Sequence, residues 1–370
     1  MSIRALPFSG PARPSCRGSR RKRLGFLTFG LGVAVLSLSS AMPGKAQTVA
    51  PCPSYPPVMN VSGPELYSDA KGSKVDPEKE AELARKRQPI NDFLSYETQS
   101  LDGPPTWSKL TGLSASCANL LLENWAGANA LATSVDENGN FSREGGVDKG
   151  QFIRAMVMLA LKLTSQGQHL GPDVLPWLGH LVGEKIKGDR KFLAMGGRGG
   201  NLYYEDGATA AGYALLAKDK DAYDFQDEVW RYFLSSVHDD GYLDSEVSRG
   251  SRALIYHNRA LSMLLAMREA RRALRIPETE ADRVKLKALS DLVGRALCRP
   301  QEMAARAGVA SEEPMGDWGY RVQQTYGADL MNNDWQTCGI KTNNVIDLNG
   351  GGDLAKMRLT FMSLAQNPAR

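Results

Sequence analysis

The chain has 370 residues, of which 42% are hydrophobic and 23% are charged, proportions typical of a globular protein. Its formal net charge of +4 is small, and much of it comes from uncompensated basic residues near the N-terminus. The rest of the chain is close to neutral. This argues against nucleic acid as a partner, because nucleic-acid binding usually requires a clustered basic face.

The N-terminus has the features of an export signal. A basic run at 20–23 precedes an apolar stretch at 24–41, and small residues before Gln47 resemble a cleavage site. An uncleaved membrane anchor is the alternative, although the apolar stretch is borderline in length for spanning. We therefore predict a signal peptide over residues 1–46, a periplasmic or secreted protein, and no stable membrane insertion after signal removal.

Four cysteines follow the predicted signal, and they are Cys52, Cys117, Cys298 and Cys338. An even number in an exported chain predicts two disulfides, for which three pairings are possible. No pair has the C-x-x-C spacing of a zinc site. We therefore expect neither a metal nor another cofactor.

The predicted elements are helical. A Pro-rich extended stretch at 47–65 and a charged, solvated linker at 69–87 lead into a helix near Pro77. Apolar residues spaced three to five apart then predict helices from about Ser114 and at 152–163, 175–186, 207–218, 225–233, 251–274, 278–297 and 354–364. The stretch 316–352 is predicted to be irregular.

No β-alternating run appears, so the sequence predicts an all-α fold of antiparallel helix pairs. Such pairs either stack into a solenoid or close into a ring. The lack of a fixed-period repeat argues against the solenoid.

Two polar loops precede helices and are candidate binding regions. In the loop 195–207, glycines allow close approach of a ligand, and Arg198, Asn201, Tyr203 and Tyr204 carry groups that suit sugars. A phosphate-binding loop is disfavoured because no strand precedes it. A core position is the alternative for either tyrosine.

The second loop begins at Asp239 and runs into an apolar helical pattern. It places Arg249, Arg252, Tyr256, His257 and Asn258 within ten residues. By itself this pattern is also compatible with a basic, aromatic helix start.

The segment DDGYLDSEVSRGSRALIYHNRAL resembles the motif D-x-x-G-x-L-P-N-E-L-x-R-x-x-R-A-L-x-Y-H-N-Y-A-L of the periplasmic alginate lyases, the poly(β-D-mannuronate) lyases. CANLLLENWAGANAL is similar to the family's Cys-containing helix, and CPSYPPVMNVSGPELY with KGSK resembles its Pro-rich start and charged lid. The resemblance implies an incomplete (α/α) toroid over residues 47–370 and β-elimination on a uronic-acid polymer.

The resemblance also implies roles for individual residues. The family's essential Tyr, Arg and Asn fall on Tyr256, Arg249 and Asn201, while its His is replaced by Leu202. Its Pro-Asn pair is replaced by Asp244-Ser245.

Seven residues separate Arg249 from Tyr256, close to two helical turns, so both side chains are expected to face one cleft. Tyrosine has an ordinary pKa of ~10, so a nearby arginine is needed to favour the phenolate. Substrate contacts are predicted for Arg198, Tyr203, Tyr204, Arg252, His257, Lys71 and Lys74, the last two on a lid. A structural hydrogen-bonding role at the helix start is the alternative for His257.

The resemblance implies a bridge between Cys52 and Cys117, which leaves Cys298 to pair with Cys338. We predict an exported, monomeric polysaccharide lyase that acts on an anionic uronate polysaccharide, either of mannuronate type or a glucuronate-bearing exopolysaccharide. One alternative is a catalytically silent glycan-binding or secretion factor. Another is a glycoside hydrolase, for which the candidate carboxylates are Glu205, Asp206, Asp239 and Asp240.

Overall fold

A computed structural model of the protein describes residues 51–69, 74–103, 112–315, 320–338 and 345–366. The predicted signal peptide lies outside these residues. The described residues form thirteen α-helices: α1 Pro77–Asp102, α2 Ala115–Gly127, α3 Arg143–Ser165, α4 Val174–Ala194, α5 Asn201–Ala217, α6 Lys220–Ser236, α7 Asp244–Val247, α8 Ala253–Ala273, α9 Glu280–Cys298, α10 Pro300–Ala307, α11 Arg321–Tyr326, α12 Asn333–Cys338 and α13 Leu354–Gln366.

The prediction of an all-α chain is confirmed. In the described ranges the only named strands, β1 Ile346–Asp347 and β2 Gly352–Asp353, form one short antiparallel hairpin. The stretch predicted to be irregular contains this hairpin and the short helices α11 and α12, so that prediction was wrong for those residues. These elements contain too few residues for an apolar period to be visible in the sequence.

Local side chains explain where several helices begin. Asp76, Ser114, Ser142 and Asp219 each accept a backbone N–H from the first turn of α1, α2, α3 and α6. At α9 a reciprocal capping box joins Thr279 and Asp282. These contacts satisfy N–H groups that have no partner within the helix, and they explain why the helix positions follow from the sequence.

Helix α5 lies at the centre of the molecule and packs most extensively against α8, α6 and α3. The middle of this helix contains small residues that are fully buried, namely Ala208, Ala210 and Ala211. The helix begins at Asn201, six residues before its predicted start. The prediction of a loop was therefore wrong from Asn201 onward. A helix buried on all sides lacks the one-sided apolar period that marks a surface helix, so the sequence pattern did not show where α5 begins.

Helix α8 carries the strongest sequence motif. A 3-10 turn at Gly250–Arg252 leads into it, and Glu312 accepts the backbone N–H of Leu254 at 3.0 Å. A carboxylate in this position is favourable because it meets the positive end of the helix dipole. Arg249 therefore precedes the helix, and Tyr256 lies in its first turn.

The two predicted disulfides are confirmed. Cys52 and Cys117 have Cα atoms 5.4 Å apart and join the N-terminal arm to α2. Cys298 and Cys338, with Cα atoms 5.1 Å apart, join α9 to α12. In the chain-entropy account, closing loops of this size stabilises the fold by roughly 4 kcal/mol each. None of the helices in the described residues has the length and apolarity needed to cross a bilayer.

Candidate active site

Tyr256 is covered by a tyrosine from a distant part of the sequence. The hydroxyl oxygens of Tyr256 and Tyr67 are 2.5 Å apart, and Arg252 Nη1 donates to the Tyr67 oxygen at 2.8 Å. Tyr67 lies where the chain turns back on itself, because it pairs with Val75 in an antiparallel bridge. The segment that the resemblance identifies as a lid therefore reaches Tyr256 through Tyr67.

Electrostatics keep Tyr67 protonated. Burial and the contact with Tyr256 raise the pKa of Tyr67 to about 12, against the opposing charges of Arg252 and Arg249. Tyr67 therefore keeps its proton at neutral pH. Either hydroxyl can be the donor in the pair, and Arg252 donates to the Tyr67 oxygen in addition.

Two guanidinium groups lie over the tyrosine rings. The Arg249 Cζ atom is 4.1 Å from the centroid of the Tyr256 ring, and Arg252 Cζ is 5.5 Å from it. Arg249 Nε is buried and has no hydrogen-bond partner. Arg249 and Tyr256 do meet, although they are not on one helix as expected: the 3-10 turn folds Arg249 back over the ring.

Asn201 is held by Glu246, a residue to which the sequence reasoning gave no role. Glu246 is buried in α7, and its two oxygens accept the Asn201 backbone N–H at 2.8 Å and Nδ2 at 3.1 Å. A Cβ on Gly200 would come within 2.9 Å of Glu246 Oε1, so glycine permits this approach. The sequence did contain a signal for Glu246, because the family motif has a Glu at the position that follows Asp244-Ser245 in this chain.

Glu246 also connects Asn201 to the rest of the site. Burial raises its pKa, whereas the hydrogen bonds from Asn201 and the charge of Arg249 lower it. Glu246 therefore binds Asn201 by hydrogen bonds and lies within the electrostatic influence of Arg249, which in turn lies over the Tyr256 ring. Leu202, which is 40% exposed, lines a neighbouring cavity of about 550 Å³ together with Glu205.

His257 is fully buried and both of its ring nitrogens are engaged. Its Nε2 accepts the Leu243 backbone N–H at 3.1 Å, so Nδ1 carries the hydrogen and donates to the Ala253 carbonyl at 2.7 Å. Burial lowers the pKa of His257 to about 4. The predicted substrate contact of His257 is therefore corrected. Neutral His257 instead connects α8, on which it lies, to the loop that carries Glu246.

The predicted contacts of Tyr203 and Tyr204 are corrected in the same way. Both side chains are buried, and their rings pack edge-to-face against Phe225 and Phe233 respectively. The helical start of α5 turns these rings into the core, so we do not include them in the site.

The other predicted substrate contacts are dispersed. Arg198 is exposed and lines a separate cavity of about 420 Å³ that includes His238. The Lys74 side chain is exposed, while Lys71 lies outside the described residues. Contacts of either lysine with a substrate stay predictions.

Glu205 is buried and is bound by two arginines. Its Oε2 is 3.0 Å from Arg259 Nη2, and its Oε1 is 3.5 Å from Arg154 Nη1. Burial alone would raise the pKa of Glu205, but the two arginines outweigh burial and lower it. Arg259 is one helical turn after Tyr256 and acts electrostatically on both Tyr256 and Tyr67.

The helix arrangement of this chain is similar to that of solved alginate lyases. A variant of alginate lyase A1-III complexed with tetrasaccharide aligns with a TM-score of 0.63 and 16% identity, over 88% of this chain and 90% of that one. Alginate lyase A1-III from Sphingomonas species A1 aligns with a TM-score of 0.57 and 15% identity, over 82% and 84%. The fold class is thus an (α/α) toroid, as the resemblance implied.

The family assignment follows from sequence comparison. The alginate lyase family matches residues 65–302, and the chain belongs to that family. A polysaccharide lyase of Stenotrophomonas maltophilia is 25% identical over 253 residues, which cover 64% of this chain and 70% of that protein. The protein is therefore a polysaccharide lyase, and membership of the family implies an acidic polysaccharide as substrate. The predicted family and enzyme class are confirmed.

Proposed function

We propose that this protein is an exported lyase that cleaves a uronate-containing polysaccharide by β-elimination at Tyr256. The observation that carries the proposal is the hydroxyl pair of Tyr256 and Tyr67 under the guanidinium groups of Arg249 and Arg252. The two disulfides support export, because such bonds persist in oxidising compartments. We expect the mature protein to be periplasmic or secreted and to act as a monomer.

The reaction requires a base and cations near the substrate carboxylate. β-Elimination removes the proton on C5, next to the carboxylate, and breaks the bond between C4 and the glycosidic oxygen. Negative charge accumulates on the carboxylate as the proton leaves, so preorganised donors lower the barrier. Arg249 and the amide of Asn201 are the groups we assign to this task, with Glu246 holding Asn201 in place.

Tyr256 is the group we assign to proton transfer. A phenolate at Tyr256 would be stabilised by the hydroxyl of Tyr67 and by the charges of Arg249 and Arg252. In a mannuronate-type linkage the C5 proton and the leaving oxygen lie on one face of the sugar. One tyrosine can then take the first proton and return it to the leaving oxygen, without the histidine that Leu202 replaces.

Three of the four carboxylates considered for a hydrolase pair with cations. Glu205 binds Arg259 and Arg154, and Asp206 binds Lys185 at 2.9 Å. Asp239 is almost fully exposed and pairs with Lys285 at 2.7 Å. The pKa of Glu205 is lowered by its arginines despite burial, and that of Asp239 is lowered by Lys285. A lowered pKa disfavours either group as a general acid, which must hold a proton near neutral pH.

Tyr256→Phe tests the proposal, because it removes only the hydroxyl oxygen. We expect loss of lyase turnover with nearly unchanged folding and polymer binding, measured by the ultraviolet absorbance of the unsaturated uronate product. Tyr223→Phe, at a 41% exposed position on α6, is the matched control and should keep full activity. Full lyase activity in Tyr256→Phe would overturn the mechanism. Polymer binding by the native protein with no unsaturated product would favour the silent glycan-binding alternative.

A further inference from the structure

Two cavities with different electrostatic character meet at Glu205. The larger, of about 550 Å³, is lined by Leu202, Phe141 and Glu205 among others. The smaller, of about 210 Å³, is lined by Arg154, Arg259 and further residues. Since Glu205 binds both of those arginines, its carboxylate lies between the two cavities.

The larger cavity carries no excess charge in its described lining. Three cations and three carboxylates line it, namely Arg143, Lys149, Lys185, Glu184, Glu205 and Asp206. Its cations are already engaged: Lys185 pairs with Asp206 at 2.9 Å, and Arg143 with Glu65 at 3.1 Å. Lys149 donates to the Ala132 carbonyl at 2.8 Å. Lys149 has no carboxylate at ion-pair distance, but the charge of Glu184 acts on it. A sugar carboxylate placed here would therefore meet no net positive charge in the described lining.

Apolar surface makes up another part of the same cavity. Phe141 is 74% exposed, and its ring approaches Gly146 so closely that a Cβ there would come within 2.8 Å of the ring's Cζ atom. Leu202 is 40% exposed at the position where the family motif has a charge-neutralising histidine. Aromatic and aliphatic surfaces of this kind suit the C–H faces of an uncharged sugar.

The smaller cavity is basic. Arg154, Arg259 and Arg321 line it, with Asp347 as the one carboxylate in its described lining. Arg321 Nη1 donates to the Ile346 carbonyl at 2.6 Å, while its Nε is buried and has no hydrogen-bond partner. With Glu205 and Asp347 set against three guanidinium groups, one positive charge remains for a ligand.

Helix α8 places this basic side next to the reacting centre. Tyr256, Arg259 and Ser262 recur every three residues, so they share one face of the helix. Arg259 and Ser262 line the smaller cavity, whose edge is thus one turn from Tyr256. Arg249 and Arg252 add two guanidinium groups beside Tyr256, of which Arg252 also pairs with Glu313 at 3.0 Å.

We propose that the substrate is a heteropolysaccharide in which uronates are separated by uncharged sugars, with the acidic unit on the Arg259 side and its uncharged neighbour in the Leu202–Phe141 cavity. A polymer of consecutive uronates would have to place a carboxylate in the larger cavity, where carboxylates balance the cations of the described lining. This inference rests on the proposed lyase function and adds the substrate class.

The experiment compares defined polymers with the mature, disulfide-bonded protein. The alternating probe is a polymer of glucuronate and N-acetylglucosamine, and the homopolymeric probes are polyglucuronate and polymannuronate. We expect kcat/KM, measured by ultraviolet absorbance of the unsaturated product, to be at least about tenfold higher for the alternating polymer, a difference equivalent to 1.4 kcal/mol. An equal or higher value for polyglucuronate would overturn the inference while leaving the lyase function intact.

A charge variant provides a second readout. Val147 lines the larger cavity, so Val147→Lys adds an unpaired cation there. The preference for the alternating polymer over polyglucuronate should then fall about fivefold, the effect of one partly exposed charge pair. Val284→Lys, at a 55% exposed position on α9, should leave the preference unchanged. An unchanged preference in Val147→Lys would also overturn the inference, whereas absence of unsaturated product from every polymer would refute the proposed function itself.

Discussion

Glu246→Gln is the substitution that most directly separates a positioning role from a structural one. The native carboxylate accepts two hydrogen bonds from Asn201, at 2.8 and 3.1 Å. Glutamine keeps the shape but replaces one acceptor oxygen by an NH₂ group. The Asn201 amide must then turn over to present its oxygen, which is buried and has no hydrogen-bond partner in the native protein. Its NH₂ group, the donor we assign to the substrate carboxylate, would move away.

The size of the effect follows from these contacts. Hydrogen bonds to a charged group are each worth about 1 kcal/mol more than neutral ones, so the two together predict a loss of at most about 2 kcal/mol. Burial raises the pKa of Glu246, and removing the buried charge returns part of that cost. We therefore expect a net loss of about 1–2 kcal/mol and, for a folded unit of this size, a Tm decrease of roughly 1.5–3 °C. Displacing a substrate-positioning donor should lower kcat roughly 100-fold.

The assay pairs calorimetry with steady-state kinetics well below Tm. Glu269→Gln is the matched control, because Glu269 is also a buried carboxylate and pairs with Arg272 at 2.8 Å and Arg358 at 3.1 Å. It lies 13 residues after Tyr256 on α8, roughly 20 Å along the axis. Glu269→Gln should lose similar stability and keep its activity. If Glu246→Gln kept native kcat at the same loss of Tm, Glu246 would be only structural.

Two further predictions concern Leu202 and Glu97. Leu202→His should raise activity on polymannuronate if the missing histidine is the only defect, and should not help if the cleft has been retuned to another uronate; kcat/KM on that polymer decides between these outcomes. Glu97 is fully buried on α1, both of its carboxyl oxygens lack hydrogen-bond partners, and burial raises its pKa well above the usual value. As pH rises above about 4, the unfolded state loses this proton while the folded state retains it, so stability falls by about 1.4 kcal/mol per pH unit until the folded pKa is reached. Glu97→Gln should therefore raise Tm more at pH 8 than at pH 4.5, and an equal change at both would contradict this.

The sequence was sufficient for the features that depend on short-range interactions. Helix positions followed from apolar spacing and from capping residues such as Ser114, which act within one turn. The contact between Arg249 and Tyr256 was also predicted, from a spacing of close to two helical turns, although a 3-10 turn and not one continuous helix brings the two side chains together. The exceptions were the short helices α11 and α12 and the start of α5. Complete burial of α5 removed the one-sided pattern and hid the helical positions of Tyr203 and Tyr204.

Only the tertiary structure decided which distant groups complete the site. Tyr67 reaches Tyr256 across 189 residues of sequence, and Glu246 reaches Asn201 across 45. The charge difference between the two cavities likewise depends on Glu205 meeting Arg259 from another helix. Hydrogen bonds and ion pairs act over a few ångströms in space whatever the separation along the chain, so these contacts exist only once packing of α5 against α8 brings the groups together.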